Sequence, residues 1–287
     1  MIAIFKKEFK AYFHSIVGWL FLAFFLAFLG IYFYLYNLTM GYGFLGYALS
    51  GISMIFVLLV PMVTMRIMAE EKKQKTDQLL FTAPISVEKV ILGKYLALVT
   101  LFAIALAVTC IYPIILVAFG TINVAMTYLS ILNFFFIACA YMAIGMFIST
   151  MTESQAFAAV LTFIVVLFTC IADGIASLFS TSALSTFVVL TVLFAILGGI
   201  AYAMMKNLTI SLLVFGICEA VLAGVYLVKP IALEGLVEKL FYAVAMFGHF
   251  DNILSGVFDL ADFVYFISIS FLFCFLTIQA VKKRRFS

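Results

Sequence analysis

Long, uninterrupted runs of apolar residues occupy most of the chain. A helix needs about 20 predominantly apolar residues to cross the hydrocarbon core of a membrane. Eight runs reach or approach that length, and we number them as predicted spans 1 to 8: Ser15–Tyr36, Tyr47–Met65, Tyr95–Gly120, Leu129–Ile148, Ala156–Ala172, Ala183–Met205, Leu208–Val228 and Phe263–Val281. Runs such as FLAFFLAFLG show none of the polar–apolar alternation of barrel strands. The pattern predicts an all-α, polytopic transmembrane helical bundle.

The number of spans depends on one region, residues 173–228. If Ala183–Met205 and Leu208–Val228 both cross the membrane, the chain has eight spans, and we favour this count. If they form a re-entrant or partial hairpin, it has six. Both counts are even, so the two termini lie on one side of the membrane.

The placement of basic residues indicates the orientation of the bundle. With eight spans and a cytoplasmic N-terminus, 14 of the 16 Lys and Arg residues face the cytoplasm, and only Lys229 and Lys239 face outward. Cytoplasmic loops of membrane proteins carry such an excess. We therefore expect a multi-pass protein of the cytoplasmic membrane with both termini in the cytoplasm.

Composition excludes several other classes of protein. The chain is 67% hydrophobic and 10% charged, whereas soluble domains are about 45–50% apolar and about 25% charged. A net charge of +3 does not suggest a nucleic-acid partner. The five cysteines lie separately in apolar runs, and no cluster has metal-ligand spacing, so we predict no metal site. We expect a single transmembrane domain over residues 1–287.

Two segments outside the spans are rich in aromatic residues. Residues 1–14 place aromatic and aliphatic side chains on one helical face and lysines on the other, which predicts an amphipathic helix in the membrane interface. The alternative is a plain cytoplasmic extension of span 1. Residues 229–262 are too interrupted to span, and we expect short helices at the outer interface.

The most highly charged segment is residues 66–94, between predicted spans 2 and 3. We expect its first part to continue the helix of span 2, and Pro84 to interrupt the helix. Ser86 can cap the next helix, with Glu88 in its first turn. Between them, Leu79–Phe81 forms an apolar patch. This patch could dock into a groove of a cytosolic partner, or it could pack against the membrane, and the residues alone favour neither.

Two polar residues lie inside predicted spans. Glu219 is in the middle of span 7, and an ionisable residue at that depth usually marks a functional site. Asn133 in span 4 suits an interhelical hydrogen bond or a place on a substrate path. An ion-coupled secondary transporter would need intramembrane acids, of which Glu219 is the one candidate. A membrane-embedded enzyme would need convergent polar groups, and we predict no catalytic residues.

Three motifs resemble one family. They are EEKKQKTDQLLFTAPISVEKVILGKYLA, GMFISTMTESQAFA, and HFDNILSGVFDLADFVYF followed by a last span and KKRR. In this order they resemble the permease subunits of ABC-2-type transporters, most closely the branch of gliding-motility and multicopper-enzyme-maturation permeases. The resemblance covers nearly the whole chain. The chain departs from the family pattern at Lys75, where Gly is frequent, and at Asp77-Gln78, where Leu-Glu is frequent.

This resemblance implies a permease rather than an enzyme. Separate ATPase subunits would bind and hydrolyse ATP with Mg²⁺, and the chain itself contains no G-x-x-x-x-G-K-[ST] motif. Two permeases, a second copy or a paralogue, would form the membrane unit, with export as the expected direction. The family core has six spans, so eight imply an extra hairpin within Ala183–Val228. The resemblance also implies that residues 66–94 form a cytoplasmic coupling loop, with a coupling helix between predicted spans 2 and 3. The residues implied in coupling to the ATPase are Glu70, Glu71, Thr76, Leu79, Leu80, Phe81, Pro84, Glu153, Ser154 and Gln155.

Overall fold

The structure, a computed structural model, describes residues 1–76, 85–120, 122–205 and 208–286. Helices make up 84% of it, and the described residues contain no strand. The all-α prediction is therefore confirmed.

The α-helices follow one another with short connections. In chain order they are α1 (Ile2–His14), α2 (Ile16–Tyr32), α3 (Gly46–Gly51), α4 (Ser53–Thr64), α5 (Arg66–Lys73), α6 (Val87–Thr109), α7 (Tyr112–Phe119), α8 (Val124–Met151), α9 (Gln155–Ala176), α10 (Ala183–Met205), α11 (Leu208–Val228), α12 (Leu236–Val244), α13 (Asp251–Leu254) and α14 (Leu260–Phe286). A π-helical stretch, Phe33–Thr39, extends α2, and 3₁₀ turns occur at Pro230–Leu233 and Gly248–Phe250.

Six segments of the described residues are long and apolar enough to cross a membrane. They are Ile16–Thr39, Ser53–Lys73, Val87–Phe119, Val124–Met151, Gln155–Ala176 and Leu260–Arg284. These correspond to predicted spans 1 to 5 and 8. The helices α10 and α11 have the bounds predicted for spans 6 and 7. Six spans are thus supported by length and composition, and eight stays a prediction.

Two compact units make up the chain: unit 1 comprises Met1–Cys170 and Phe247–Ser287, and unit 2 comprises Ile171–Met246. In unit 2, α10 packs against α11 through Leu190 and Leu222. The prediction of a single domain stays a prediction.

The core of unit 1 surrounds α8. Phe134 of α8 is fully buried, and its ring lies 5.4 Å from Phe56 and 6.0 Å from Phe102. Phe250, which precedes α13, packs on Phe134 at 6.1 Å, so part of the predicted external segment enters this core. Since lipid is as apolar as these rings, close packing rather than exclusion of water stabilises such a core. Position at a membrane interface stays a prediction for residues 1–14 and 229–262.

Candidate functional site

The predicted coupling loop, residues 66–94, begins with α5 and ends within α6. These helices meet at one end of unit 1, which we call the charged end; α1, α5, the start of α6 and the ends of α8 and α14 form it. Glu70 and Glu71 lie on α5, and Thr76 follows that helix. On the far side of the loop, Ser86 precedes α6, although its side chain makes no capping hydrogen bond. Four of the predicted residues lie outside the described ones: Leu79, Leu80, Phe81 and Pro84.

Lys94, in the second turn of α6, is the most buried charge at this end, with a side chain that is 0% exposed. Its ammonium donates to Glu8 Oε1 of α1 at 3.0 Å and to the Ile67 carbonyl of α5 at 2.9 Å. It also lies 2.9 Å from Glu71 Oε2 of α5. An ammonium group has three protons, so these three acceptors satisfy it completely. One side chain therefore joins α1, α5 and α6.

Lys7 gives α1 a second link to α5. Its ammonium lies 3.2 Å from Glu71 Oε1 and 3.8 Å from Glu8 Oε1. Partial burial alone would lower the Lys7 pKa, but attraction by Glu71 and Glu8 outweighs that effect and raises the pKa above its ordinary value. The two lysines and two glutamates balance in charge, which compensates the burial of Lys94. Lys7 itself is exposed, with a side chain that is 64% accessible.

Apolar and backbone contacts hold α1 in place as well. The buried Tyr12 hydroxyl donates to the Val63 carbonyl of α4 at 3.0 Å, and burial raises the Tyr12 pKa, so the phenol stays protonated. At Gly93, an added Cβ would lie 3.1 Å from the Met1 carbonyl oxygen and 3.3 Å from Ile4 Cβ. The absence of a side chain at Gly93 therefore lets α1 approach α6 closely.

A half-open cavity of about 250 Å³ lies between α1 and α5. Its lining mixes both signs of charge with Gln74 and Thr76: Lys7, Glu8, Arg66, Glu70 and Glu71 contribute, and Arg66 Nε donates to Glu70 Oε2 at 3.0 Å. Since these charges pair with one another or with Lys94, the cavity has no strong charge of one sign.

The end of α8 fills a break in the second span. That break falls at Met65, between α4 and α5. The Ser149 hydroxyl of α8 accepts from the Met68 and Ala69 amides at 3.2 and 3.1 Å and donates to the Met65 carbonyl at 2.9 Å. Lys72 of α5 donates to the Thr150 carbonyl. The fourth span thus anchors the helix that leads into the predicted coupling loop.

The link between α8 and α9 carries the remaining predicted coupling residues. Glu153 pairs with Arg284 of α14 at 3.2 Å. The Ser154 hydroxyl accepts from the Phe157 amide at 3.4 Å, which caps α9 where Gln155 begins it. Lys282 of α14 pairs with Glu88 at the start of α6. The structure therefore brings this link to the charged end, together with Glu70, Glu71 and Thr76.

The two polar residues predicted inside spans belong to different units. Asn133 of unit 1 is fully buried, and its side-chain amide has no hydrogen-bond partner within the described part of the chain. Glu219 of unit 2 accepts from the Thr191 hydroxyl of α10 at 2.9 Å, while its second oxygen is buried without a partner. The structure shows the interhelical bond for Glu219 and not for Asn133.

Sequence reasoning missed the partners of Lys94. The apolar sequence around it, VILGKYLALVT, carried the signal, because a lysine within an apolar stretch needs counter-charges. Glu8, the one acid among the lysines of α1, was available as such a counter-charge. Ser149 gave no signal, because serine is common in transmembrane helices.

Comparison with known proteins completes this description. The profile of a family described as ABC-2 family transporter protein matches residues 37–194, more than half of the chain. No curated protein matches. The matched region runs from the end of the first span into α10 and includes the segment between α5 and α6 and the link between α8 and α9. This match and the bundle of apolar helices show that the chain is a transmembrane permease of the ABC-2 transporter family.

Proposed function

We propose that the chain couples ATP hydrolysis by separate ABC ATPase subunits to export of a substrate across the cytoplasmic membrane. The observation that carries this proposal is the Lys94 contact set, which holds together the helices on both sides of residues 74–86. A force on the segment between α5 and α6 would then move both helices as one body, and these helices continue into the second and third spans.

The other contacts at the charged end support the same role. Two ion pairs connect α14 to this end. Arg284–Glu153 joins it to the link at Glu153–Gln155, where a second contact with the ATPase is predicted, and Lys282–Glu88 joins it to the start of α6. Ser149 connects the fourth span to α5. Several spans would therefore respond to a partner bound at this end, and we place the end, with both termini, in the cytoplasm.

The finer assignments are part of the same proposal. We infer eight spans, with α10 and α11 as an extra hairpin, and a second permease copy or paralogue in the assembly. The motifs favour the gliding-motility and multicopper-enzyme-maturation branch. The ATPase subunits would bind ATP and Mg²⁺, and this chain would bind no cofactor.

Glu219 and Asn133 are the proposed points on the substrate path. Each has a buried polar atom without a partner among the described residues, and such an atom gains a hydrogen bond when a polar substrate group binds it. An ion-coupled transporter would use Glu219 for coupling instead, and a membrane-embedded enzyme would need neither coupling residues nor an ATPase.

The test is a charge placed on the apolar patch of the loop. In Leu80→Asp, a carboxylate would enter an apolar groove of the ATPase subunit, at a cost of about 2 kcal/mol or more, roughly thirtyfold in affinity. We expect vanadate-sensitive ATPase activity to copurify with the tagged wild-type chain and to fall by that factor with Leu80→Asp.

The matched control is Val257→Asp, an equally drastic change at an exposed valine between α13 and α14. It should leave the copurified ATPase at the wild-type amount. Equal ATPase in all three preparations would contradict docking at the loop. No ATPase with the wild-type chain would favour the ion-coupled transporter or the enzyme.

A further inference from the structure

Lys94, at the end of the predicted coupling loop, is unusual because it is buried. Its charge is wholly buried, and its three proton acceptors come from two other helices, α1 and α5. A side chain that contacted an ATPase subunit directly would be exposed. The geometry therefore favours a role inside the permease, as a link between helices.

Through Glu8, Lys94 also contacts α1, which the chain does not connect directly to the predicted coupling loop. The segment between α5 and α6 joins those two helices, whereas α1 lies at the start of the chain, 86 residues away from Lys94 at Glu8. Only Ser15 separates α1 from α2, and α2 begins the first span. Whatever displaces α1 therefore acts on the first span.

Close packing between α1 and α2 makes the connection between these two helices rigid. A Cβ added at Gly18 of α2 would lie 2.4 Å from the Tyr12 carbonyl oxygen of α1. Trp19 donates from its indole nitrogen to the Phe13 carbonyl at 2.9 Å, and its ring meets Phe13 edge-on at 5.4 Å. The two helices thus form a tight corner that transmits displacement instead of absorbing it.

We propose that Lys94 is a positioning residue. It transmits movement of the segment between α5 and α6 to α1 and, through the α1–α2 corner, to the first span. This inference rests on the proposed function, since it needs a partner that moves the segment. The network suits the task because its charges balance: Lys94 and Lys7 face Glu8 and Glu71. All three protons of the Lys94 ammonium are accepted by α1 and α5, so Lys94 ties α1, α5 and α6 to one another.

The experiment measures two movements in the same complex. Pairs of spin labels on genetically encoded amino acids leave the five native cysteines in place. The first pair has one label at Lys73, the last residue of α5, and one at Val124, at the start of α8. The second pair has one label at Lys10 of α1 and one at Val124. All three positions are exposed. Distances are compared in liposomes for the nucleotide-free and the ATP–vanadate-trapped complex of permease and ATPase.

In the wild-type complex we expect trapping to shift both distances. In Lys94→Met, the Lys73 pair should still shift, while the shift of the Lys10 pair becomes smaller, because the packing at Gly93 and the Tyr12 hydrogen bond still hold α1. Because Lys94→Met alone leaves Glu8 and Glu71 facing each other, the same measurement is made in Lys94→Met/Glu8→Gln/Glu71→Gln, which removes the charges together. A purely structural role predicts that this neutral variant regains the full Lys10 shift, and our proposal predicts that it does not.

Lys89→Met is the matched control, because Lys89 is an exposed lysine of the same helix. It should keep both shifts. A Lys10 shift that keeps its wild-type size in Lys94→Met or returns to that size in the neutral variant would overturn the role of Lys94 while leaving the proposed function intact. A wild-type complex that shows no Lys73 shift would reject the proposed coupling itself, and the role of Lys94 with it.

Discussion

At the scale of single residues, Gly145 fixes how closely the second and fourth spans approach. A Cβ on Gly145 of α8 would lie 2.3 Å from Thr64 Oγ1 and 2.7 Å from Thr64 Cβ of α4. Thr64 is fully buried and its hydroxyl donates to the Val60 carbonyl at 2.8 Å, so it has little room to move. Small residues at such crossings let membrane helices pack closely.

We predict that Gly145→Ala separates these helices and destabilises unit 1. Overpacking of this kind costs about 1–3 kcal/mol, which should appear as a lower midpoint of thermal unfolding in detergent. Gly174→Ala is the control, because no atom lies within 4 Å of a Cβ built there. Alanine in an open helical position gains up to about 1 kcal/mol over glycine, so that variant should be unchanged or more stable. Equal losses in both variants would contradict the close packing.

The residues of the candidate site were only partly predictable from the sequence. Glu70, Glu71 and Glu153 could be proposed from the sequence because acids outside apolar runs are easily seen and match a family motif. The pairing of Glu71 with Lys94 and Lys7 could not be predicted, because it depends on how α1 is rotated against α5 and α6. Periodicity shows that α1 is amphipathic, but not which helix its lysine face meets.

At the scale of helices, the break in the second span is held by a side chain from the fourth. Hydrogen bonds from the Met68 and Ala69 amides to Ser149 serve the first turn of α5, as a capping side chain would. A side chain inserted into the ladder of i to i−4 bonds is a common cause of a helix kink. The second and fourth spans therefore stabilise this break together, through contacts that neither sequence alone would show.

Ser149→Ala should weaken α5 locally. Two amides lose their acceptor, and an unsatisfied buried group costs about 1–3 kcal/mol. We expect faster hydrogen exchange at Met68 and Ala69 and a lower unfolding midpoint. Ser268→Ala in α14 removes an exposed hydroxyl that bonds only its own helix, to the Val264 carbonyl, and should change stability by no more than about 0.5 kcal/mol. Unaltered exchange in Ser149→Ala would disprove the capping role.

Helix bounds were predicted best where apolar runs end abruptly. The bounds of α10 and α11 agree with the predicted spans. By contrast, α14 continues past the predicted end at Val281 to Phe286, because Lys and Arg are good helix formers outside lipid. Pro61, one turn before Met65, marks this part of α4 in the sequence. The hydrogen bonds of Ser149 could not be predicted, because Ser149 is more than 80 residues away from Met65.

At the scale of the whole molecule, the number of spans determines which side of the membrane the extra hairpin exposes. Six segments qualify as spans by length and composition, while α10 and α11 are apolar helices of 23 and 21 residues. Each is about as long as the 20 residues that a crossing needs. Lys206 follows α10 in the sequence and lies outside the described residues. It would face the cytoplasm with eight spans and the exterior with six.

We therefore predict that Lys206→Cys is protected in intact cells from a membrane-impermeant maleimide and reacts once the membrane is opened. A lysine on the cytoplasmic side agrees with the distribution of the other basic residues. Lys229→Cys should react in intact cells and Lys75→Cys should not, which calibrates the two sides. The unmodified chain, whose five cysteines lie in apolar runs, gives the background. Labelling of Lys206→Cys in intact cells to the extent seen for Lys229→Cys would establish six spans and place the hairpin on the outer side.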